Sequence, residues 1–555
     1  MKNIVLFLFL LSTFNSNGNE ISGKWFFKSI LKEHTLDSTN LKPISSLDFF
    51  LINKDGSFEY QLSELNLFAK GNWLLENENL KLIYNAPNDT TRYYKIKHSN
   101  KKLILNENGI NYVFSKTGKL YNSQFSVYNL VRGFIGLIFL IFIAFIFSRN
   151  KNKINWNLVT KGLLIQIIFA LLILKVPIIQ NFFEWFSKIF ITILNFTREG
   201  SIFLFGDLIT NTDSLGYIFA FQVLPTIVFF SALTSILFYY GILQKIVFGF
   251  AFLMKKTLKL SGSESLAAAG NIFLGQTESP LLVKPYINKM TMSELLCLMG
   301  GGMATIAGGV LAAYIGFLGG TDLNEQLFFA KHLLAASVMS APAAVVVTKI
   351  LLPETEEISE EMNIVKGKLG ENALDAISLG TTQGLKLAIN VGAMLLVFIA
   401  FITMVNYILK DFFGDLTGLN DWVVNISKGQ YQGFSLEFIL GYILAPVAWI
   451  IGVCKEDMIL IGQLLGEKTV LNEFVAYISL ANLKESMAFY EERSMIIATY
   501  ILCGFANFAS IGIQIGGIGV LAPDRRVDLS KLGILALIAG TLACLFTATI
   551  VGMLI

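Results

Sequence analysis

The stretch that decides the interpretation of this chain is GNIFLGQTESPLLVKPYI, residues 270–287. Its apolar run is interrupted at 275–280 by GQTESP, in which a glycine and a proline flank four side chains that form hydrogen bonds. Such a backbone is tolerated at membrane depth only where it is buried in protein or lines a cavity. We therefore predict that residues 262–288 form a re-entrant helical hairpin with GQTESP at its tip.

The pattern occurs twice. The apolar run after the first hairpin is interrupted by GGGMATIAGG at 300–309, which predicts an unwound midpoint. A second hairpin is predicted over 456–490, with the polar tip GEKTVLNE at 466–473, and the next span is broken by CGFANFASIG at 503–512. Paired interrupted segments in two halves of a membrane protein indicate a transporter binding site at an inverted-repeat interface.

Composition places these segments in a membrane. Of the 555 residues, 54% are hydrophobic and 15% are charged, and the mean hydropathy is +0.61. Soluble domains are about 45–50% apolar and about 25% charged. The net charge of +3 indicates no nucleic-acid-binding surface. Neither the four cysteines nor the three histidines have the spacing of a metal or redox site.

Eight apolar runs are candidate spans: 131–148, 159–176, 215–240, 293–318, 328–352, 381–408, 495–521 and 532–555. Residues 181–196 and 245–260 are amphipathic and predict interfacial helices, and 434–453 fits either a span or an interfacial helix. Arg149, Lys151 and Lys153 follow the first span, so that end is predicted to be cytoplasmic. The fold predicted for 131–555 is all-α and polytopic, with scaffold-forming spans at 131–260 and a transport core at 261–555.

The N-terminal part has a different character. Residues 1–18 have a basic start and an apolar run too short to span a bilayer, which predicts a signal peptide. Residues 19–120 contain short strand-like runs with the turn pairs Asp55-Gly56 and Asn108-Gly109, which predict a small all-β domain. A linker at 121–130 follows. The positive charge after the first span places this domain on the periplasmic or extracellular side of the plasma membrane.

These motifs resemble those of the concentrative nucleoside transporter family. The resemblance rests on residues 270–287, on GGGMATIAGGVLAAY at 300–314, on NEFVAY at 472–477 and on CGFANFASIGI at 503–513. It extends from about residue 131 to the C-terminus. The β domain lies outside it, and its GxW opening loosely resembles lipocalin-like domains. The resemblance implies a homotrimer in the lipid bilayer that imports nucleosides by symport with sodium or protons.

The resemblance also implies the binding residues. Gln276, Thr277 and Glu278 are expected to read the base, and Glu473, Asn507 and Ser510 to hold the ribose, with Phe505 and Val310 lining the pocket. Sodium is expected at the side chains of Asn271 and Thr305 and at the carbonyl oxygens of Leu274 and Ile306. The family often has serine at 305 and valine at 274. Threonine keeps the hydroxyl, and a carbonyl ligand tolerates leucine.

The chemistry of these side chains agrees with that assignment. A carboxylate such as Glu473 can accept charge-assisted hydrogen bonds from two ribose hydroxyls. The neutral oxygens of Asn271 and Thr305 suit an alkali cation, whereas a buried Glu278 or Glu473 would suit a proton relay. Proton coupling therefore remains the alternative to sodium. An ion channel would need a polar stripe along a pore, and no nucleophile–base pair or cofactor motif indicates an enzyme.

Overall fold

The computed structural model describes two compact units, with the division between residues 122 and 123. The described residues are 21, 23–32, 49–53, 55–62, 67–76, 79–86, 89–98, 102–107, 109–115, 126–211, 218–320, 322–359, 361–362, 370–427, 429–486 and 488–555. The predicted signal peptide, residues 1–18, lies outside them.

The N-terminal unit is a closed antiparallel barrel in which neighbouring strands pair in sequence order and β1 pairs with β8. Its strands are β1 (Gly23–Lys32), β2 (Phe49–Ile52), β3 (Ser57–Leu62), β4 (Leu67–Glu76), β5 (Asn79–Ala86), β6 (Thr90–His98), β7 (Lys102–Glu107) and β8 (Ile110–Ser115). The prediction of an all-β domain is confirmed. The sequence analysis had no distinct signal for β2, a short and continuously apolar strand.

Alternating side chains fill the barrel with aromatic and aliphatic groups. Trp25 of β1 is fully buried, and its indole N–H donates to the Ile21 carbonyl oxygen at 2.7 Å. The predicted Asp55-Gly56 turn joins β2 to β3, with Gly56 at φ 87° and the Asp55 carboxylate accepting from the Ser57 N–H at 2.9 Å. Gly109, at φ 78°, similarly precedes β8.

The second unit is helical. Its first group of helices is α1 (Val127–Ile146), α2 (Trp156–Lys175), α3 (Pro177–Phe205), α4 (Leu224–Tyr239), α5 (Ile242–Leu258), α6 (Gly262–Gly270), α7 (Met292–Ala304), α8 (Gly308–Gly319) and α9 (Leu323–Leu351). Short helical turns cover Lys151–Lys153, Asp207–Thr210, Phe219–Gln222, Ser279–Leu282 and Ile287–Lys289.

The remaining helices are α10 (Ala373–Asn406), α11 (Leu419–Ile426), α12 (Leu436–Ile450), α13 (Met458–Val470), α14 (Glu473–Glu485), α15 (Glu492–Leu502), α16 (Phe508–Leu521) and α17 (Arg526–Leu554). A π-helical stretch (Tyr407–Gly414) and the turn Asp415–Thr417 extend α10, and Pro523–Arg525 forms a 3₁₀ turn before α17. Residues 127–130 of the predicted linker already belong to α1.

Seven segments within the described residues are long and apolar enough to cross a membrane. They are Val127–Ile146, Trp156–Lys175, Phe219–Tyr239, Met292–Gly319, Leu323–Leu351, Ala373–Thr417 and Pro523–Leu554. The predicted span 495–521 consists of two shorter helices, α15 and α16, and the chain leaves helical geometry between them, where the motif at 503–512 predicts a break. The ambiguous segment 434–453 contains the short apolar helix α12.

Burial divides the spans into two groups. The α7–α8 segment, α9 and α17 are largely buried within the chain, and α17 packs against α7, α9, α15 and α16. By contrast, α1, α2, α4 and α10 are buried over no more than a third of their apolar stretch. Helix α10 packs along α4 and is as little buried as α1, α2 and α4, although it lies within 261–555. The first broken helix, α7–α8, belongs to the largely buried group.

We expect Trp25→Ala to destabilise the barrel by about 3–5 kcal/mol, because the change leaves a large cavity and removes the indole bond to Ile21. The free energy of unfolding is measured by far-UV circular dichroism in guanidinium chloride on the separate 19–122 segment. Tyr93→Ala is the control, since Tyr93 is 61% exposed and should change stability by less than about 0.5 kcal/mol. Equal effects of the two substitutions would contradict the assignment of Trp25 to the barrel core.

Candidate functional site

The segment predicted as the first hairpin is a helix, an irregular tip and a short returning helix. Helix α6 is capped by Ser261, whose hydroxyl accepts from the Glu264 N–H at 3.1 Å, and it ends at Gly270. The chain then turns back, so that Ser279 donates its hydroxyl to the Ala267 carbonyl oxygen at 3.2 Å. Gly270 permits this close approach, because a Cβ there would lie 2.8 Å from Leu282.

The helix after this hairpin is broken where the glycine-rich motif predicts. Helix α7 ends at Ala304 and α8 begins at Gly308. Thr305 and Ala307 between them have extended backbone, with φ/ψ of −118°/173° and −70°/146°. The Thr305 hydroxyl donates to the Gly301 carbonyl oxygen at 2.9 Å. The break frees main-chain groups from the helical pattern in the interior of the protein.

Asn271 lies against the same turn of α7. It is fully buried, and its amide nitrogen donates to the Leu298 carbonyl oxygen at 3.3 Å. A Cβ on Gly301 would lie 2.6 Å from that nitrogen, so Gly301 leaves the room that the amide occupies. The Asn271 Oδ1 atom has no hydrogen-bond partner among the described residues. Asn271 and Thr305 thus meet at Gly301, and a buried neutral oxygen there is free to bind a cation.

The second half repeats the arrangement. Helices α13 and α14 are separated by Leu471 and Asn472, and Asn472 caps α14 by accepting from the Val475 N–H at 2.9 Å. Glu473, the first residue of α14, is 4% exposed. Its carboxylate accepts from the Asn507 amide at 2.5 Å. The tip of the second hairpin is therefore bonded to the second broken helix.

Asn507 also shapes that broken helix. It is the N-cap of α16, and its Oδ1 accepts from the Ser510 N–H at 2.8 Å. Its side chain thereby stabilises the start of α16 and directs its amide hydrogens toward Glu473. The Ser510 hydroxyl in turn accepts from the Gln276 side-chain amide at 3.1 Å.

The Gln276–Ser510 bond joins the two halves of the membrane unit. It connects the tip of the first hairpin to the second broken helix across 234 residues of sequence. Gly302 lies beneath it, because a Cβ there would lie 3.0 Å from both the Gln276 Cβ atom and the Gln514 amide nitrogen. Gln276, Ser510, Asn507 and Glu473 therefore form one continuous, buried polar cluster. The Gln276 Oε1 atom has no partner within the described part of the chain.

The other predicted residues lie around this cluster or apart from it. Thr277 is exposed and faces Gly517 of α16, while Val310 and Phe505 are buried. The Glu278 carboxylate accepts from the Gly275 N–H of its own tip at 3.2 Å. It also lines a cavity of about 30 Å³ with side chains of α4 and Gln383 of α10. Among the residues that the structure describes, no hydrogen bond joins Glu278 to the cluster.

Two features of the site were not predicted from the sequence. Tyr314 of α8 is buried beside the Glu473 carboxylate and stacks on Tyr477, with ring centroids 4.0 Å apart. Lys468, five positions before Glu473, is fully buried. Tyr477 lies four residues after Glu473 on the same helix face, and this spacing is a sequence signal for the aromatic pair beside Glu473. A lysine within the apolar frame of the second hairpin is a sequence signal for the buried Lys468.

The helix breaks themselves are in contact. Gly504 has φ 128°, and a Cβ there would lie 2.7 Å from the Met303 carbonyl oxygen and 2.8 Å from the Ala304 carbonyl carbon. The first break therefore packs directly on the second. Two hairpins and two broken helices that meet at a buried polar cluster within a multi-pass helical unit define a membrane transporter.

Comparison with known proteins identifies the family. Models of the Na+ dependent nucleoside transporter match its N-terminal part at residues 135–208 and its C-terminal part at 332–552, and a nucleoside recognition model matches 220–321. The chain belongs to the Na+ dependent nucleoside transporter family. The β barrel precedes all three matched ranges.

The relatives are transporters. The chain is 43% identical to solute carrier family 28 member 3 of Eptatretus stoutii and 38% identical to sodium/nucleoside cotransporter 1 of Homo sapiens, with 77% and 75% of this chain covered. It spans about three fifths of these two relatives, 61% and 62% of their lengths. It is 41% identical to an uncharacterized transporter, YutK, of Bacillus subtilis, over 77% of this chain and the full length of that protein.

The solved structures agree with this family. CNTnw in an inward-facing substrate-bound state is similar at a TM-score of 0.68 and 37% identity, covering 76% of this chain and 98% of that one. A variant of CNTnw in an outward-facing state is similar at a TM-score of 0.69 and 36% identity, covering 77% and 98%. The membrane unit therefore shares the fold of a transporter seen facing both sides.

We expect Gly504→Ala to destabilise the membrane unit by about 1–3 kcal/mol. Alanine would have an unfavourable φ at this position, and its Cβ would clash with the first break. The change should appear as a lower melting temperature of the purified protein in detergent. Gly516→Ala is the matched control, since nothing lies within 4 Å of a Cβ at that position of α16. A Gly504 variant as stable as the Gly516 variant would disprove the close packing of the two breaks.

Proposed function

We propose that this protein imports nucleosides by symport with sodium, by alternating access at the buried polar cluster between the hairpins and the broken helices. The observation that carries the proposal is the chain of bonds from Gln276 through Ser510 and Asn507 to Glu473. A solute that replaced these bonds with its own hydrogen bonds to the same side chains would connect the two halves of the transporter.

The chemistry of the cluster fits a nucleoside. At the Gln276 end, an amide whose oxygen has no partner among the described residues offers an acceptor and donors for the edge of a base. At the other end, the Glu473 carboxylate and the Asn507 amide offer an acceptor and a donor for ribose hydroxyls. Thr277, Val310 and Phe505 complete the proposed pocket. Glu278 is proposed to reach the base through water in the neighbouring cavity, which has room for water.

The proposed sodium site lies beside the base-reading tip. Asn271 and Thr305 meet at Gly301, and the carbonyl oxygens of Leu274 and Ile306 are proposed to complete the ligand set. The Oδ1 atom of Asn271, which has no partner in the described part of the chain, supports this assignment, because a buried acceptor without a partner is costly unless a cation or water binds it. Sodium at this position would fix the first hairpin against α7.

The remaining architecture is proposed on sequence and family. Both hairpins would be re-entrant, with 131–260 as scaffold and 261–555 as the transport core. The α1 helix is followed by Arg149, Lys151 and Lys153, which supports a cytoplasmic end there and a barrel exported by residues 1–18 to the opposite side. The homotrimer in the bilayer is proposed from the family resemblance alone.

The direct test is uptake of radiolabelled uridine into proteoliposomes with and without an inward sodium gradient. Sodium-driven accumulation is the expected result. Accumulation with a proton gradient alone would favour the alternative, a proton-coupled symporter, in which a buried carboxylate carries the coupling charge. Uridine equilibration without accumulation under either gradient would rule out symport.

We expect Glu473→Gln to weaken uridine binding tenfold to a hundredfold, since a charge-assisted bond to a hydroxyl is worth about 1.5–3 kcal/mol. Binding to the purified protein at saturating sodium is the measurement. Glu485→Gln is the control, because Glu485 lies exposed at the other end of the same helix. Unchanged affinity in the Glu473 variant would remove this residue from the substrate site.

Sodium and uridine should bind cooperatively, with a coupling of about 1–3 kcal/mol, since sodium would order the hairpin that carries Gln276. We expect Asn271→Ala to raise the sodium concentration for half-maximal uptake far more than it lowers uptake at saturating sodium. Gln276→Ala should instead weaken uridine affinity at every sodium concentration. The measurement is a sodium titration of uridine uptake at fixed pH. Identical profiles for the two variants would contradict the separation into ion and base sites.

A further inference from the structure

Lys468 is a fully buried cation to which the proposed transport mechanism assigns no role. It lies on α13, in the second hairpin, and its ammonium donates to the Ile501 carbonyl oxygen at 2.8 Å and to the Cys544 sulfur at 3.3 Å. Ile501 is in the last turn of α15, immediately before the second break. The ammonium therefore ties the second hairpin to its broken helix.

Cys544 of α17 extends this contact to both breaks. Its thiol donates to the Cys503 carbonyl oxygen at 2.6 Å and lies 3.7 Å from the Ala304 carbonyl oxygen. These carbonyls follow the last turn of α15 and end α7. The C-terminal end of a helix carries partial negative charge. The Lys468 ammonium thus lies where the negative ends of two helices converge.

In the first half of the membrane unit, the neutral side chain of Asn271 makes the contact that corresponds to that of Lys468. There the first hairpin sends the Asn271 amide to the Leu298 carbonyl oxygen of α7, and an oxygen of Asn271 remains unpartnered among the described residues. The first hairpin offers oxygens to a cation, whereas the second hairpin carries a cation of its own.

The buried carboxylate of Glu473 also calls for a cation nearby. An ionised carboxylate in a membrane interior is expensive without a partner of opposite charge. Lys468 is on the same hairpin and attracts the Glu473 carboxylate electrostatically. The formal charges of Lys468 and Glu473 cancel each other, and Glu467 is the third charged residue of the 466–473 tip.

We propose that the Lys468 ammonium is a built-in cation that does for the second hairpin what the coupling sodium does for the first: it holds the hairpin against its broken helix and so positions Glu473. The inference rests on the proposed function for its comparison with sodium. Lys468 acts through Glu473 and the helix ends, and is a positioning residue.

Two variants of the full-length protein test the proposal. Lys468→Met keeps the length of the side chain without its charge, and we expect at least tenfold weaker uridine binding at every sodium concentration. Lys468→Ala leaves room for an added cation. We expect methylammonium at about 0.1 M, near physiological ionic strength, to restore most of the uridine affinity and melting temperature of this variant. Choline at equal concentration controls for ionic strength.

Lys484→Met is the matched control. Lys484 lies on α14 of the same hairpin and also donates to a main-chain carbonyl oxygen, that of Leu318 at 2.6 Å. Its loss should leave uridine affinity within about twofold, an energy difference below RT, about 0.6 kcal/mol. Wild-type affinity in Lys468→Met overturns the proposal. So does a Lys468→Ala protein that stays unfolded, or weak in binding, with methylammonium present.

The melting temperature separates this inference from the proposed function, because it needs no nucleoside. If the wild-type protein takes up no uridine with sodium but methylammonium restores the stability of Lys468→Ala, the transport proposal fails and the built-in cation stands. If sodium-driven uptake is present but methylammonium changes neither stability nor binding, the transport proposal stands and the role of Lys468 is wrong.

Discussion

The membrane unit depends on one constraint: main-chain groups released from a helix inside a bilayer must find partners within the protein. The second break satisfies it with side chains, as Asn507 caps α16 and Lys468 binds the Ile501 carbonyl oxygen. Beside the first break, the side-chain oxygen Oδ1 of Asn271 has no hydrogen-bond partner among the described residues.

Glycine makes the arrangement compact. Gly301 and Gly302 leave room for Asn271 and Gln276, and Gly504 lets the second break contact the first. Both hairpin tips lie within hydrogen-bonding distance of the second broken helix, through the Gln276–Ser510 and Glu473–Asn507 bonds. Because the polar cluster is assembled from both halves, movement of either half changes the same bonds.

Much of this fold can be predicted from the sequence, because glycine, proline and hydrogen-bonding side chains in apolar runs conflict with an uninterrupted helix. That conflict located both helix breaks. Pairings such as Gln276 with Ser510 cannot be predicted in the same way, since they depend on how distant segments pack. Strand β2 lacks an alternating sequence pattern, and the carbonyl partner of Lys468 lies 33 residues further along the chain. The hydrogen bond of Glu278 to the Gly275 N–H likewise depends on the fold of the tip.

Closure of the N-terminal barrel restricts how that domain can recognise anything else. Pairing of β1 with β8 uses the hydrogen-bonding edges that an open sheet would expose. Another polypeptide therefore has no free edge to extend among the described strands, which disfavours recognition by strand addition. Outward-facing side chains such as Phe68 and Leu74 of β4 and Tyr93 of β6 are exposed instead. The described strands of the barrel also leave no edge through which copies of the domain could pair into fibrils.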